Sequence, residues 1–255
     1  MLVVLSPAKI QNFKNQSLVQ DYSMPEFMDE AEQLIELMRD LSPSELSRLL
    51  EINSSLSQIN TDRHLNWNRP FTLKNARQAV FVFDGEVYRG LEAKTLNVDE
   101  INYMQDHLRL FSGLYGVLRP LDLIQPYRID VSSKLRHPNG NDLYSFWKEK
   151  VTGSVTKALK KTGKPQVILN LASSEYIKTL QQKEEKIKII NVEFLEFKED
   201  KFKQIVIYTK KARGMMTRFV IKNRIEDVEE LKGFSAEGYW YDPQQSTDTK
   251  LVFIR

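Results

Sequence analysis

Two stretches of the sequence decide the fold class: "LVVL" at residues 2–5, which runs directly into "SPAK", and "QVILNLA" at residues 166–172, which runs into "SSEY". Short, uninterrupted apolar runs bounded by polar loops predict strands buried inside a sheet. Side chains that follow such strands often face a ligand in α/β proteins. The sequence therefore predicts an α/β fold with polar groups at the ends of buried strands.

Helix start signals lie between and around these strands. Three pairs have the spacing of a capping box, in which a polar side chain begins a helix and a glutamate three residues later completes the cap. The pairs are Ser23 with Glu26, Ser42 with Glu45, and Asn97 with Glu100. The helix that Asn97 begins is expected to end at about Leu110, and a helix over residues 142–161 is expected to stop at Gly163 and Pro165.

The remaining pattern adds strands, mainly in the second half. A strand is predicted over residues 78–83, a hairpin over residues 186–197 and 202–209, a helix over residues 210–224, a short acidic helix over residues 226–234 and a final hairpin over residues 237–255. No internal repeat or linker divides the chain. We expect one mixed α/β (α+β) domain over residues 1–255, with a mixed sheet covered by helices.

Composition excludes several classes of function. The 255 residues include no cysteine and only three histidines, which are far apart, so disulfides, thiolate nucleophiles and Cys- or His-ligated metal sites are not expected. The pattern predicts no membrane span, no signal peptide, no cofactor and a cytoplasmic location. The net charge of +3 is too small to indicate nucleic acid without clustering of the basic residues.

Residues 210–224 contain such a cluster. Their cations are Lys210, Lys211, Arg213, Arg218, Lys222 and Arg224, with no acid among them. A surface helix normally mixes charge signs, because like charges one turn apart repel each other. The sequence predicts an unneutralised cationic ridge for an anionic partner. The alternative is an ordinary solvated helix face.

A second candidate is "FSGLYGVLRPLD" at residues 111–122. Gly113 and Gly116 suggest the loop of a helix-hairpin-helix, whose backbone amides turn toward a phosphate, with Tyr115 at its tip. Arg109 and Arg119 bracket this loop, beside a predicted basic cleft. The alternative is a tight helix C-cap without a ligand.

Other candidates are single residues. Lys9 and Glu175 follow the two predicted buried strands, and Arg128 extends the basic series. Asp122 and Glu175 would form an acid/base or Mg²⁺ site only if folding brings them together. "SPAK" matches the Ser-x-x-Lys motif of serine penicilloyl enzymes, but it follows the first strand and no Ser-Asp-Asn is present, so that chemistry is excluded.

The ordered blocks "LSPAK", "LRLFSGLYGVLRPLDLIQPYR", "DLYSFW", "VILNLASSEY", "KKARGMMTRFVIKNR" and "GFSAEGYWYD" also resemble the YaaA family of peroxide stress proteins over essentially the whole chain. The resemblance implies a mixed α/β domain with a positively charged cleft and a helix-hairpin-helix-like element that binds DNA. It implies cytoplasmic protection during hydrogen peroxide stress, linked to limiting free iron. It brings no established catalytic reaction.

Two functions remain open from the sequence. The first is a protective protein that holds DNA by its phosphate backbone, with shape-based rather than sequence-specific recognition. The second is an enzyme that acts on a nucleotide or other phosphorylated substrate in the same cleft. Asp122 or Glu175 within about 4 Å of Lys9 in an enclosed pocket would favour the enzyme.

Overall fold

An eight-stranded mixed sheet runs through the computed structural model, which describes residues 1–14, 19–138, 140–163, 166–181 and 186–255. The strands are β1 (Leu2–Leu5), β2 (Arg77–Gln78), β3 (Leu108–Ser112), β4 (Gly116–Leu118), β5 (Leu123–Ile124), β6 (Val167–Asn170), β7 (Lys188–Lys198), β8 (Lys201–Lys203), β9 (Trp240–Tyr241) and β10 (Lys250–Ile254). The helices are α1 (Met28–Arg39), α2 (Pro43–Leu50), α3 (Ser54–Asn66), α4 (Ala79–Val82), α5 (Glu86–Leu91), α6 (Val98–His107), α7 (Leu143–Lys161), α8 (Ser174–Ile177) and α9 (Val206–Asn223). Together they confirm the predicted mixed α+β domain.

The order of strands in the sheet is β4-β3-β1-β6-β7-β10-β9, with β8 paired to β7, while β2 and β5 form a separate pair. Strands β3, β1, β6, β7 and β10 lie side by side in this order and are all parallel. Strand β4 pairs antiparallel with β3, β8 with β7, and β9 with β10. Every residue of β1 and β6 is buried. The continuous apolar runs that predicted these two strands therefore fill the middle of the sheet.

The strand order also fixes where a crevice forms. From β1 the chain crosses to β3 on one side, and from β3 it crosses back to β6 on the other side of β1. Right-handed crossovers that run in opposite directions place their helices on opposite faces of a sheet. The loops after β1 and β6 therefore diverge, which is the arrangement that leaves a ligand crevice at the carboxyl edge of open α/β sheets.

Two of the three predicted capping boxes are confirmed. Ser42 accepts a hydrogen bond from the amide of Glu45 at the start of α2, and Asn97 does the same for Glu100 at the start of α6. The predicted box at Ser23 is wrong. Helix α1 begins at Met28, and the Ser23 hydroxyl donates to Asp122 Oδ1 at 2.6 Å instead. Ser23 therefore makes a contact with a distant residue instead of capping a helix. The three-residue spacing of Ser23 and Glu26 cannot reveal such a contact.

Helix boundaries differ from the predictions where strands compete with them. Helix α6 ends at His107, not at about Leu110, because Leu108 begins β3. Helix α7 stops before Gly163, whose φ of +80° lies in the left-handed region, as predicted; Pro165 lies outside the described residues. The final hairpin is confirmed by the antiparallel pairing of β9 with β10.

Two strand predictions and the prediction of a short acidic helix need correction. The predicted strand over residues 78–83 is mostly the buried helix α4, because apolar residues on all sides fit a buried helix as well as a strand. In the hairpin predicted over residues 186–209, β8 ends at Lys203 and α9 has already begun at Val206. Helix α9 confirms the predicted basic helix, and the acidic segment forms a short 3₁₀ helix over Glu229–Gly233.

Helix α9 is held closely against α5 by two glycines. A Cβ atom on Gly214 would lie 1.8 Å from the carbonyl oxygen of Val87, and one on Gly90 would lie 2.2 Å from that of Lys211. The two helix backbones therefore touch, which only residues without a side chain permit. This contact buries one side of α9.

Candidate functional site

The predicted helix-hairpin-helix is a β-hairpin. Strands β3 and β4 flank the glycines, and the hydroxyl oxygen of Ser112 accepts hydrogen bonds from the amides of Leu114 and Tyr115 at 3.2 and 3.0 Å. Tyr115 is fully buried, and its hydroxyl accepts a hydrogen bond from the Trp67 indole at 3.0 Å. The amides expected to bind phosphate are therefore occupied inside the protein.

Close packing explains both glycines of this hairpin. A Cβ atom on Gly113 would lie 2.2 Å from the carbonyl oxygen of Ile129, and one on Gly116 would lie 2.6 Å from the Trp147 ring. Gly116 also has a φ of +68°, which disfavours other residues. The predicted phosphate contacts of Gly113, Tyr115 and Gly116 are thus replaced by core contacts, because glycine spacing alone does not separate a ligand loop from a tight turn.

The two arginines that bracket this hairpin line a groove of about 680 Å³, which also takes in the C-terminal half of α7. Its charged lining residues are Arg109, Arg119, Lys157 and Lys161, with Glu26, Asp106 and Asp122. We call this feature the basic groove. Among the described residues no side chain of α9 lines it, so the two predicted cationic regions do not converge there.

The two arginines of the basic groove have partners within the protein. Arg109 donates to the carbonyl oxygens of Gln105 and Leu108 at 3.1 and 2.7 Å, and burial lowers its pKa. Arg119 bonds Asp122 Oδ1 at 3.2 Å and is 44% exposed. Asp122 also accepts from the Arg119 amide and the Ser23 hydroxyl at 2.7 and 2.6 Å, and burial raises its pKa. The Asp122 carboxyl is therefore a buried structural link between the turn over residues 119–122 and the segment around Ser23.

The sequence reading overlooked the lysines of α7. Lys157 and Lys161 are exposed, lie one helical turn apart, and make no ion pair within the part of the chain that the structure describes. The run from Lys150 to Lys161 carries four lysines and no acid, which is the signal that could have identified them. Within the described ranges, these two lysines are the cations of the basic groove that have neither an ion pair nor a hydrogen bond to a carbonyl oxygen.

Three of the six cations of the predicted ridge on α9 pair with acids. Lys211 pairs with Glu237, Arg218 lies 3.7 Å from Glu92, and Lys222 lies 3.1 Å from Glu100. These acids come from three other segments of the chain. The prediction of an unneutralised ridge is therefore wrong. A helix whose own sequence lacks acids can still form ion pairs with acids from other segments of the chain.

Besides Arg109, which donates to carbonyl oxygens, four predicted cations keep no acidic partner among the described residues: Lys210, Arg213, Arg224 and Arg128. Arg224 lies 6.0 Å from the centre of the Tyr103 ring. Lys210 is exposed on α9. Arg213 lies on the same helix with its Nε buried and without a hydrogen-bond partner, and burial lowers its pKa. Arg128 lies close enough to Arg63 for its positive charge to lower the Arg63 pKa, together with the larger effect of burial. Contact of Lys210, Arg213 or Arg128 with phosphate stays a prediction.

The carboxyl edge of the sheet brings a third set of side chains together. Lys9 Nζ lies 3.0 Å from Asp130 Oδ2, and Tyr176 donates to Asp130 Oδ1 at 3.3 Å. Ser6, at the end of β1, donates to the hydroxyl of Ser173 at 3.2 Å. We call the space framed by these five residues the β1–β6 crevice. The carboxylate that approaches Lys9 is Asp130, which the sequence reading did not single out.

The predicted acid/base pair is not assembled. Asp122 lies in the basic groove, while Glu175 lies exposed beside the β1–β6 crevice, near Tyr144, whose pKa rises through burial and then through the Glu175 charge. Within the described residues, no group of three His, Asp or Glu side chains has a geometry that could hold a metal ion. No helix in the described ranges combines the length and the apolar character that a membrane crossing requires.

Comparison with known proteins matches the chain to a family model and to individual relatives. The family model described as "Peroxide stress protein YaaA" matches residues 1–245. A UPF0246 protein of Alteromonas mediterranea is 45% identical over 255 residues, which are 100% of this chain and 98% of that relative. The match extends over the strands, the basic groove and the β1–β6 crevice alike.

Proposed function

Since the chain belongs to the peroxide stress protein YaaA family, which gives it a role in peroxide stress, we propose that it protects DNA by holding the phosphate backbone in the basic groove. The proposed DNA contact lies on the outer surface beside the glycine hairpin, and not in the hairpin itself. Arg109 and Arg119 keep the place that the sequence predicted for them, and Lys157 and Lys161 join them.

The observation that carries the proposal is the pair of uncompensated lysines on α7. Like charges one turn apart on a helix destabilise it by a few tenths of a kcal/mol, so an unpaired Lys157 and Lys161 need another reason to be there. A polyanion in the groove removes that repulsion and releases its own counterions, which is the main source of non-specific affinity for DNA.

Recognition by this groove would be shape-based. Lysine and arginine contacts to phosphate position a protein on DNA without reading its sequence. The family resemblance adds a limitation of free iron, which we propose as a second effect of the protein in stressed cells. Electron paramagnetic resonance of chelatable iron in cells with and without the protein measures this effect separately from DNA binding.

The alternative of an enzyme in the same groove receives less support. A catalytic acid or base there would have to exchange a proton with a substrate, but Asp122 is buried and accepts hydrogen bonds from Ser23 and Arg119. A carboxylate held in this way orients its neighbours and is not available to a ligand. The carboxyl group that the sequence singled out for chemistry is therefore unsuited to it, which favours binding as the function of the groove.

The test is the affinity for a DNA duplex measured over a range of salt concentrations. Each lost phosphate contact lowers the slope of log affinity against log salt by about 0.9. We expect Lys157→Ala with Lys161→Ala to weaken binding on all sequences and to lower the slope by about 2. Lys157→Arg with Lys161→Arg keeps both charges and should keep the slope. Unchanged binding by the alanine variant would contradict the proposal.

A further inference from the structure

The contacts of the β1–β6 crevice close a ring. Asp130 contacts both Lys9 and Tyr176. Ser6 donates a hydrogen bond to Ser173. The chain itself completes the ring, because Ser6 lies three residues before Lys9 and Ser173 three residues before Tyr176. The Ser173 amide also donates to the Ser6 hydroxyl oxygen at 2.9 Å. Three segments that are distant in sequence thus meet in one polar cluster at the carboxyl edge of the sheet.

Two donors in this ring are not used up by the protein. Ser173 accepts a hydrogen bond from Ser6, and its own hydroxyl proton has no acceptor among the described residues. Lys9 is 64% exposed and has three N–H donors, while Asp130 is its one ion-pair partner in the described ranges. The partly buried hydroxyl and the accessible ammonium are both donors, which suits an incoming oxyanion.

A backbone frame keeps these donors in place. The Tyr88 hydroxyl donates to the carbonyl oxygen of Ser6 at 3.0 Å, and the Asn170 side chain accepts from the Ala172 amide at 3.0 Å just before Ser173. Both loops are therefore fixed before any ligand arrives. Preorganised donors at a strand-order switch point are the usual setting of a small-ligand site in open α/β sheets.

Helix α9, which packs against the helix that carries Tyr88, holds a partly buried cation. Arg213 directly precedes Gly214, whose backbone packs against Val87, and Val87 precedes the Tyr88 that binds Ser6. Its buried Nε has no hydrogen-bond partner. A guanidinium taken from water without a counter-ion is unfavourable, so a negative ligand nearby would stabilise it.

From these observations we propose that the β1–β6 crevice binds a terminal phosphate group, with Lys9 and the Ser173 hydroxyl as its first donors. Lysine is a common phosphate ligand, and a phosphate monoester offers three oxygens to the donors of the ring. Asp130 occupies Lys9 in the ligand-free protein and gives it up when phosphate binds, while Tyr176 retains the Asp130 carboxylate. This site lies apart from the basic groove and goes beyond the proposed DNA contact.

The first experiment measures binding of adenosine 5′-monophosphate by calorimetry, with adenosine as the control for the base and sugar. Lys9→Ala should lower the affinity at least tenfold, and Ser173→Ala should lower it severalfold. Asp130→Asn removes the competing charge and should raise the affinity severalfold. Lys74→Ala, which removes one positive charge at an exposed position outside the ring, should change it less than twofold.

The directions of these affinity changes distinguish a phosphate-binding site from a purely structural cluster. A purely structural Lys9–Asp130 pair predicts that both partners' variants lose thermal stability together and that neither changes binding. Equal binding of adenosine and its monophosphate, or weaker binding by Asp130→Asn with an unchanged melting temperature, would overturn the proposal. Lys9 is mostly exposed, so Lys9→Ala is expected to fold.

The second experiment distinguishes the sources of the phosphate. Inorganic phosphate, the mononucleotide and a single-stranded oligonucleotide with or without a 5′-phosphate are compared on the Lys157→Ala, Lys161→Ala background. That background removes the two lysines of the basic groove, so a preference for the 5′-phosphorylated strand that Lys9→Ala abolishes there would place the end of a nucleic acid in the crevice. Binding of the mononucleotide alone would indicate a small-molecule site, and binding of none would reject the crevice while leaving the groove untouched.

Discussion

Helices α7 and α9 both carry clustered cations, lysines alone on α7 and lysines with arginines on α9, but the fold compensates a larger part of the α9 cluster. On α9, Lys211, Arg218 and Lys222 each pair with an acid from another segment. On α7, Lys157 and Lys161 line a groove and have no ion-pair partner among the described residues. Three of the five cations of α9 are thus compensated, whereas Lys210 and Arg213 have no acidic partner among the described residues.

The packing of the two helices explains the difference. Helix α9 touches α5 backbone to backbone at Gly214 and Gly90, and neighbouring segments supply the acids that pair with its cations. The lysine-bearing side of α7 remains open, and its one glycine, Gly153, has nothing within 4 Å of a would-be Cβ. A basic helix is available to an anion only where no other element of the fold covers it.

The largest effect expected from this comparison is on stability. Gly214→Ala places a Cβ atom 1.8 Å from the Val87 carbonyl oxygen, so α5 and α9 must separate. We expect the free energy of unfolding to fall by about 3 kcal/mol, the upper range for overpacking a core. Chemical denaturation measures this change.

The matched control lies on the other helix. Gly153→Ala adds a methyl group in open space and removes a flexible residue from a helix interior. It should raise the free energy of unfolding by about 0.5–1 kcal/mol. Equal destabilisation by the two substitutions would contradict the packing difference between α7 and α9.

A second pair of substitutions would remove the difference in unpaired charge between α7 and α9. Glu92→Gln with Glu237→Gln takes two acids from beside Arg218 and Lys211 without altering side-chain size. We expect the affinity for duplex DNA at low salt to rise severalfold, because α9 then offers unpaired cations. Glu36→Gln with Glu51→Gln makes the same change of net charge at exposed positions elsewhere. A rise of equal size in that control would show that net charge alone is responsible.

The smallest effect concerns the ion pairs of α9 as sources of stability. Lys211 and Glu237 are 39% and 40% exposed, so solvent screens their attraction. Lys211→Ala should lower the free energy of unfolding by less than about 1 kcal/mol, because exposed pairs seldom contribute more. A loss near that of Gly214→Ala would mean that charge pairing, not the glycine contact, holds α9.

Part of this fold could be predicted because local sequence determines it. The buried strands β1 and β6 follow from continuous apolar runs, and the caps at Ser42 and Asn97 need only residues three positions apart. The same reasoning was wrong for Ser23, whose partner Asp122 lies 99 residues away. Local rules succeed where the competing contact is also local.

The candidate sites were less predictable for the same reason. The glycines of residues 111–122 fit a phosphate loop and a buried turn equally well, and the contacts with Ile129 and Trp147 that distinguish the two come from other segments. Lys9 was predicted at a strand end, but its partner Asp130 comes from a distant loop. A sequence gives the chemical groups, whereas tertiary contacts determine which of them remain free.

The central claim is that α7, and not α9, presents the cations that hold DNA. Its most direct test compares Lys157→Ala with Lys161→Ala against Lys211→Ala with Arg218→Ala, which remove the same charge from the two helices, in a duplex-binding titration at one low salt concentration. We predict a loss of affinity of tenfold or more for the α7 variant and less than twofold for the α9 variant. An equal loss in both, or a larger loss in the α9 variant, would contradict this assignment of the DNA-binding surface.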